Sequence, residues 1–311
     1  MSQQTASVIL MVRPANFAFN PETAQNNIYQ QPDSRSADEV QQLALAEFDG
    51  FVSQLRDNGI QVLVVEDTAH PVKSDAVFPN NWFSTHEDGK VVLYPMFSPN
   101  RRLERRKDII ELLIHNGFRV NEIIDLSFFE QDSQYLEGTG SMVLDRQNKV
   151  VYACRSSRTH QVPLDYFCRT LGYERLLFDA SQQVDGKSIA IYHTNVMMHV
   201  GSEIAVVCLD CIPLASERLK LQKHLEITQK KMIPITAKQK FNFAGNMLEV
   251  QNAKGEKFTV MSKTAFDALG EVQINTILRY TKIISPAIPT IEKLGGGSVR
   301  CMMAELFLPL M

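Results

Sequence analysis

No stretch of this sequence approaches the roughly 20 consecutive apolar residues that span a bilayer, so no membrane crossing is expected. The first residues, Met1-Ser-Gln-Gln-Thr-Ala6, lack a charged region followed by an apolar one, which sets the expectation of a cytoplasmic protein. Neither sign of charge dominates: 32 Lys and Arg stand against 35 Asp and Glu, a net charge of −3. A nucleic-acid partner calls for a basic footprint, and none is present. Cysteine is sparse and odd in number, five at irregular spacing, which argues against a disulfide framework. Cys208-Leu-Asp-Cys211 has no second CxxC or HxxxH to complete a zinc site and reads as a buried pair; no metal or other cofactor is expected. No Pro/Gly/Ser-rich linker divides the 311 residues, so one domain over 1–311 is expected.

What is present is an α/β pattern. Short apolar runs predict strands at Ser7–Val12, Gln61–Val65, Val91–Tyr94, Ser141–Leu144, Val150–Cys154, Ile189–Ile191, Val196–Val200, Ile204–Leu209 and Val299–Leu308. Amphipathic spacing predicts helices at Ala37–Asn58, Arg101–Asn116, Leu164–Leu171 and Ser216–Lys230, with Ser216 as a cap for the last. The beat of helix, strand, turn and strand returns in units of about 50–60 residues, without a residue-level repeat. Asn20–Ser36 is polar and reads as a flap over a pocket; 230–262 shows no chemistry.

Four stretches can carry chemistry. Gly295-Gly-Gly-Ser-Val-Arg-Cys301 places one cysteine beside glycines, which allow close backbone approach, and beside a cation, which favours a thiolate. A cysteine in such a run is otherwise a small core residue. Tyr192-His193-Thr-Asn195 offers an imidazole between apolar runs, as a base or as a buried structural histidine; His199 reads as structural. Glu137-Gly-Thr-Gly140 offers a carboxylate on a polar turn, and Phe78-Pro-Asn-Asn81-Trp82 places two amides beside aromatics, as a turn or a pocket wall. The basic cluster Arg101-Arg102-Leu-Glu-Arg-Arg-Lys107 is either a solvated helix start or a holder of an anionic substrate group.

Taken in order, Phe-x-x-Asn81, Glu137-Gly-x-Gly, His193-x-Asn195 and Gly-Gly-Gly-x-x-x-Cys301 resemble the guanidino-group-modifying superfamily, over nearly the whole chain. That superfamily includes arginine deiminases, dimethylarginine dimethylaminohydrolases, succinylarginine dihydrolases and glycine amidinotransferases. The resemblance implies an α/β-propeller of five ββαβ-type modules about a pseudo-fivefold axis, with the site at its centre. It implies Cys301 as the nucleophile, His193 as the acid and base, and Glu137 as the carboxylate that pairs with substrate nitrogen and passes protons. Arg158, in Ser157-Arg-Thr-His160, and Arg101 or Arg102 would hold the substrate α-carboxylate. Some proteins of this fold lack the nucleophile and only bind, among them ribosome anti-association factors.

The departures from the arginine-acting pattern carry the substrate argument. Asn81 and Asn195 stand where those relatives have aspartates, and Gly140 where an acid can stand. Aspartates offset a guanidinium charge, whereas asparagine is neutral and both donates and accepts. A ureido group is also neutral, with one C=O among N–H donors. The pattern looks like the citrulline-utilisation hydrolase branch, which implies conversion of citrulline to ornithine, ammonia and carbon dioxide. The alternative is an arginine deiminase, dihydrolase or amidinotransferase acting on a guanidino substrate. The expected partner is a small amino acid, and the oligomeric state stays open.

Overall fold

The computed structural model describes residues 3–311. In chain order it contains β1 (Val8–Arg13), α1 (Ala37–Asp57) and β2 (Gln61–Glu66); β3 (Phe83–Thr85), β4 (Lys90–Leu93), α2 (Lys107–His115) and β5 (Glu122–Asp125). Next come β6 (Met142–Asp145), β7 (Val150–Cys154), α3 (Gln161–Leu171), β8 (Glu174–Phe178) and the hairpin β9 (Ser181–Val184) with β10 (Lys187–Ala190). Further along are β11 (Met198–Val200), β12 (Ile204–Val207), α4 (Ala215–Ile227), β13 (Lys231–Pro234), β14 (Leu248–Gln251), β15 (Lys257–Val260), α5 (Lys263–Ala268), α6 (Glu271–Leu278), β16 (Lys282–Ile284) and β17 (Ala304–Leu306), with short helices at Ala237–Phe241 and Pro289–Gly295 between them.

Five three-stranded sheets share one plan. Each opens with an antiparallel pair and closes with a parallel strand reached through a helical crossover: β3-β4-β5, β6-β7-β8, β11-β12-β13, β14-β15-β16 and β17-β1-β2. The last sheet joins the two ends of the chain, with Ile9 opposite Glu305 and Leu10 opposite Leu63. Central strands are covered on both sides and therefore read as continuous apolar runs; all five residues of β7 and all four of β12 are buried. Third strands such as β5 and β13 are short and largely exposed, so they lack that signal, whereas the six-residue β2 keeps it.

Helix α1 forms where its sequence dictates. Ser36 and Glu39 make reciprocal side-chain-to-backbone bonds of 3.3 and 2.9 Å, and Val40, Ala44, Phe48, Phe51 and Leu55 face the core. Three expectations require correction. The predicted helix 101–116 is split into a 3₁₀ segment, Pro99–Glu104, and α2, because Arg101 and Glu104 turn inward and pair with each other. Ser216 is no cap: Leu214 stands at the cap position of α4, without a side-chain bond. The predicted strand 299–308 contracts to β17, with Cys301 in the turn ahead of it. No described helix is long and apolar enough to cross a membrane.

The site is positioned by the loops that enter the first strand of each sheet. Helical turns Pro79–Asn81, Gly138–Ser141 and Thr194–Val196 immediately precede β3, β6 and β11, and the middle one packs against both others. Segment 20–36 lies across them. Its Thr23 carbonyl and Asn26 side chain accept from Arg158, and Gln30 donates to the Leu294 carbonyl.

Candidate active site

A narrow cavity of only about 20 Å³ opens among these loops; Asp75, Asn81, Arg101, Arg158, His193 and Cys301 line it. Glycine is required at its rim. Gly296 has φ +62, and a Cβ there would lie 2.5 Å from both Asn27 and Gln30 of segment 20–36. Sequence expectation and structure agree on that close approach.

Cys301 is 4% exposed and follows the turn that starts at Ser298, whose carbonyl accepts from the Cys301 N–H at 2.9 Å. Its sulfur faces two amide groups: Asn246 Nδ2 at 3.3 Å and Asn195 Nδ2 at 3.5 Å. Both are donors, and donors favour negative charge on sulfur. Asn195 stands behind the nucleophile, not in the cavity wall, and its Oδ1 is buried without a partner.

His193 Nε2 donates to Glu137 Oε2 at 2.8 Å. Burial would push the Glu137 carboxyl up, but Arg158, the His193 hydrogen bond and Arg101 together hold it below the usual carboxylate range. An ionised carboxylate only accepts, so Nε2 carries the proton and Nδ1 is left as the free basic nitrogen. Burial lowers His193 to about 4 against the opposing pull of Glu137, so the resting imidazole is neutral at pH 7. The remaining Glu137 contacts are the Phe97 N–H at 3.0 Å and Arg158 Nη1 at 3.4 Å. Thus the Glu137 carboxylate accepts from three protein donors, and its bond to Nε2 orients His193.

Asn81 Oδ1 accepts from Arg101 Nη1 at 2.9 Å. Arginine is a pure donor, so this contact fixes the amide and turns Nδ2 the other way. That Nδ2 is buried and has no acceptor. It lies 2.4 Å from where a Cβ on Gly140 would stand, and His193 Nδ1 lies 2.7 Å from the same point. Gly140 therefore admits no side chain beside this amide.

The two arginines differ from the expected open clamp. Arg101 is buried and spends Nε and Nη2 on Glu104, both at 2.8 Å. Arg158 donates to Thr23, Asn26 and Glu137, with its guanidinium 5.0 Å from the Tyr192 ring centroid. By donor count, each keeps one free N–H, on Nη1. Arg102 is not in the cavity: it is half-buried, pairs with Glu130 at 3.3 Å and donates to the Met96 carbonyl. Between the two candidates the structure brings Arg101 to the site.

Sequence reading missed two participants. Asp75 sits in the wall, with Oδ2 bonded by Asn20 at 2.8 Å and Oδ1 unpartnered; burial raises its carboxyl, with Arg101 opposing. Asn246 lies in the 230–262 region that showed no chemistry. The shared signal is slight: Asn246-Met-Leu, like Asn195-Val-Met, is an asparagine followed by two apolar residues at the entrance to a strand. Cys208 and Cys211 are buried with sulfurs 3.1 Å apart, away from the Cys301 cavity. Among the described residues no cluster of three or more His, Cys, Asp or Glu side chains could hold a metal ion.

A cysteine, a carboxylate-oriented histidine and paired arginines at the mouths of five like sheets define the guanidino-group-modifying class. A family model described as N,N dimethylarginine dimethylhydrolase, eukaryotic, matches residues 13–308, and the chain belongs to that family. No curated protein matches it in sequence. Among solved structures, it is similar to the N-terminal domain of ArgZ, an arginine dihydrolase from the ornithine-ammonia cycle in cyanobacteria, seen bound to substrate: TM-score 0.70, 17% identity, 97% of this chain and 99% of that one. AgrE with ornithine and NAD⁺ gives TM-score 0.70 at 20% identity and 98% coverage of this chain. A dimethylarginine dimethylaminohydrolase adduct gives 0.63 at 14% identity, over 98% of this chain and 100% of that one. The chain spans 41% of full-length ArgZ and 40% of AgrE.

Proposed function

We propose that this chain is a cysteine hydrolase of the ureido carbon of citrulline or a close analogue, yielding ornithine, ammonia and carbon dioxide. In this reading the five like sheets stand about a pseudo-fivefold axis as one catalytic α/β-propeller domain in the cytoplasm. The observation that carries the substrate is the orphan donor on Asn81, whose direction Arg101 sets. A buried donor without an acceptor costs about 1–3 kcal/mol. A ureido C=O satisfies it; a guanidinium, which only donates, does not. A guanidinium would also enter a cavity holding two arginines, where the Glu137 carboxylate is already committed to His193 and Arg158.

The steps follow from these groups. Sγ of Cys301 attacks the ureido carbon while His193 Nδ1 takes the thiol proton. His193 then returns that proton to the departing amine as its C–N bond breaks, leaving a thioester-level intermediate on sulfur. Water, deprotonated by His193, adds to that carbon and the C–S bond breaks, restoring the thiol. The carbamic acid released decomposes, so one water converts citrulline to ornithine, ammonia and carbon dioxide. Asp75 Oδ1 suits the α-ammonium, and the free N–H groups of Arg101 and Arg158 suit the α-carboxylate.

The second reading, arginine dihydrolysis, draws on the ArgZ likeness. In that protein a serine-for-asparagine variant is covalently bonded to a reaction intermediate. Rapid quenching followed by intact-mass analysis tests the chemistry here. Citrulline should leave an adduct on Cys301; no adduct and no turnover with either amino acid would overturn the hydrolase reading.

A further inference from the structure

The five entrances to the first strands present residues in one register. Asn81 precedes β3 by two residues, Gly140 precedes β6 by two and Asn246 precedes β14 by two; Asn195 and Cys301 precede β11 and β17 by three. Asn81 and Cys301 line the cavity, and Gly140 packs beside it against Asn81 and His193. Asn246, 1% exposed, is not in that wall and packs behind the nucleophile with Asn195.

We propose, resting on the cysteine-hydrolase reading above, that Asn246 is a positioning residue that clamps Cys301 Sγ and solvates its negative charge. Every polar atom of its amide is placed. Oδ1 accepts the backbone N–H of Arg300, the residue before the nucleophile, at 3.0 Å. A backbone N–H cannot accept, so the oxygen is fixed there and Nδ2 faces the other way. The two hydrogens of Nδ2 then meet the Asn195 carbonyl at 3.2 Å and Cys301 Sγ at 3.3 Å. The side chain thus ties the turn that carries Cys301 to the loop that carries His193 and Asn195. An amide donates without a charge that burial would penalise, and it does not titrate over the working pH range. Asn195 supplies a second, longer contact to the same sulfur and leaves its own oxygen free. Of the two amides, Asn246 makes the shorter contact to the sulfur and also holds the backbone next to the nucleophile.

The test is alkylation of Cys301 by iodoacetamide, followed on the Cys301 peptide by mass spectrometry from pH 5 to 10. Asn246→Asp keeps the shape and replaces the donor with an acceptor; Asn246→Ala removes both. In variants that keep the wild-type circular dichroism, alkylation at pH 7 should slow about tenfold or more. The rate-against-pH curve should move to higher pH, and kcat should fall with KM within about twofold. A folded variant with the wild-type alkylation curve overturns the proposal. Should neither variant fold, the wild type decides: the Asn246 side-chain amide protons, assigned by triple-resonance NMR, must move in Cys301→Ala, and unmoved protons overturn it. Alkylation needs no substrate, so failure to make ornithine would overturn the citrulline reading and leave this result standing.

Discussion

Arg101 Nη1 donates to Asn81 Oδ1 at 2.9 Å, and this one contact decides which way the amide points and leaves Nδ2 without an acceptor. Replacing Asn81 with Asp keeps an acceptor for Arg101 but turns the second polar atom from donor to acceptor. Citrulline kcat/KM should fall tenfold or more in Asn81→Asp, since each tenfold equals ~1.4 kcal/mol. Activity on arginine, measured side by side, should rise relative to citrulline. Unchanged selectivity would remove the amide from the specificity argument.

Cys301→Ser keeps the volume of the side chain and loses the soft nucleophile. Turnover should vanish while the circular dichroism and Tm stay close to wild type. Residual activity near the wild-type rate would take the nucleophile assignment away from Cys301.

Arg158 is buried against Glu137, and with His193 neutral it is the one cation within ion-pair distance of that carboxylate among the described residues. Removing one partner of a buried pair costs ~3–5 kcal/mol. Arg158→Ala should therefore lower Tm by roughly 6–10 °C, at ~2 °C per kcal/mol for a chain this large. It should also raise KM, because the Thr23 carbonyl and Asn26 lose their donor and segment 20–36 its anchor. A Tm within a degree of wild type would show the pair to be dispensable.

The acid side of the stability curve follows from His193. Its imidazole is held at about 4 in the fold, against 6.5 ordinarily, chiefly by burial. The unfolded chain therefore binds a proton first. This contribution is fully present above pH 6.5 and is lost as pH falls toward 4; Glu137, held below its usual range, adds to the same trend below about 4.5. The drop in Tm from pH 7 to pH 4.5 should shrink in His193→Asn. An identical drop in that variant would contradict the neutral, buried imidazole.

Central strands and long helices were legible in the sequence because burial on both faces, or on one stripe, leaves a continuous or periodic apolar record. Val150–Cys154 was read to the residue. Outer strands such as Glu122–Asp125 were not, since a short, mostly exposed strand carries little apolar signal. Cys301, His193, Glu137 and Asn81 stood out from motif order; the structure brings Cys301, His193 and Asn81 to one cavity, with Glu137 buried behind His193. What sequence could not show was direction. Glu137 turns to His193, Arg101 turns inward where Arg102 turns out, and Asn246 reaches Cys301 across 55 residues. Those relations depend on which atoms of a loop face its neighbour, and loop sequence alone does not encode them.

The central claim is that this site hydrolyses a neutral ureido group, and product analysis tests it directly. Purified protein is offered L-citrulline and L-arginine separately, and ornithine, ammonia and citrulline are quantified over time. Ornithine and ammonia from citrulline, with little action on arginine, is the predicted result. Citrulline or ornithine formed efficiently from arginine, with citrulline itself untouched as substrate, would contradict it.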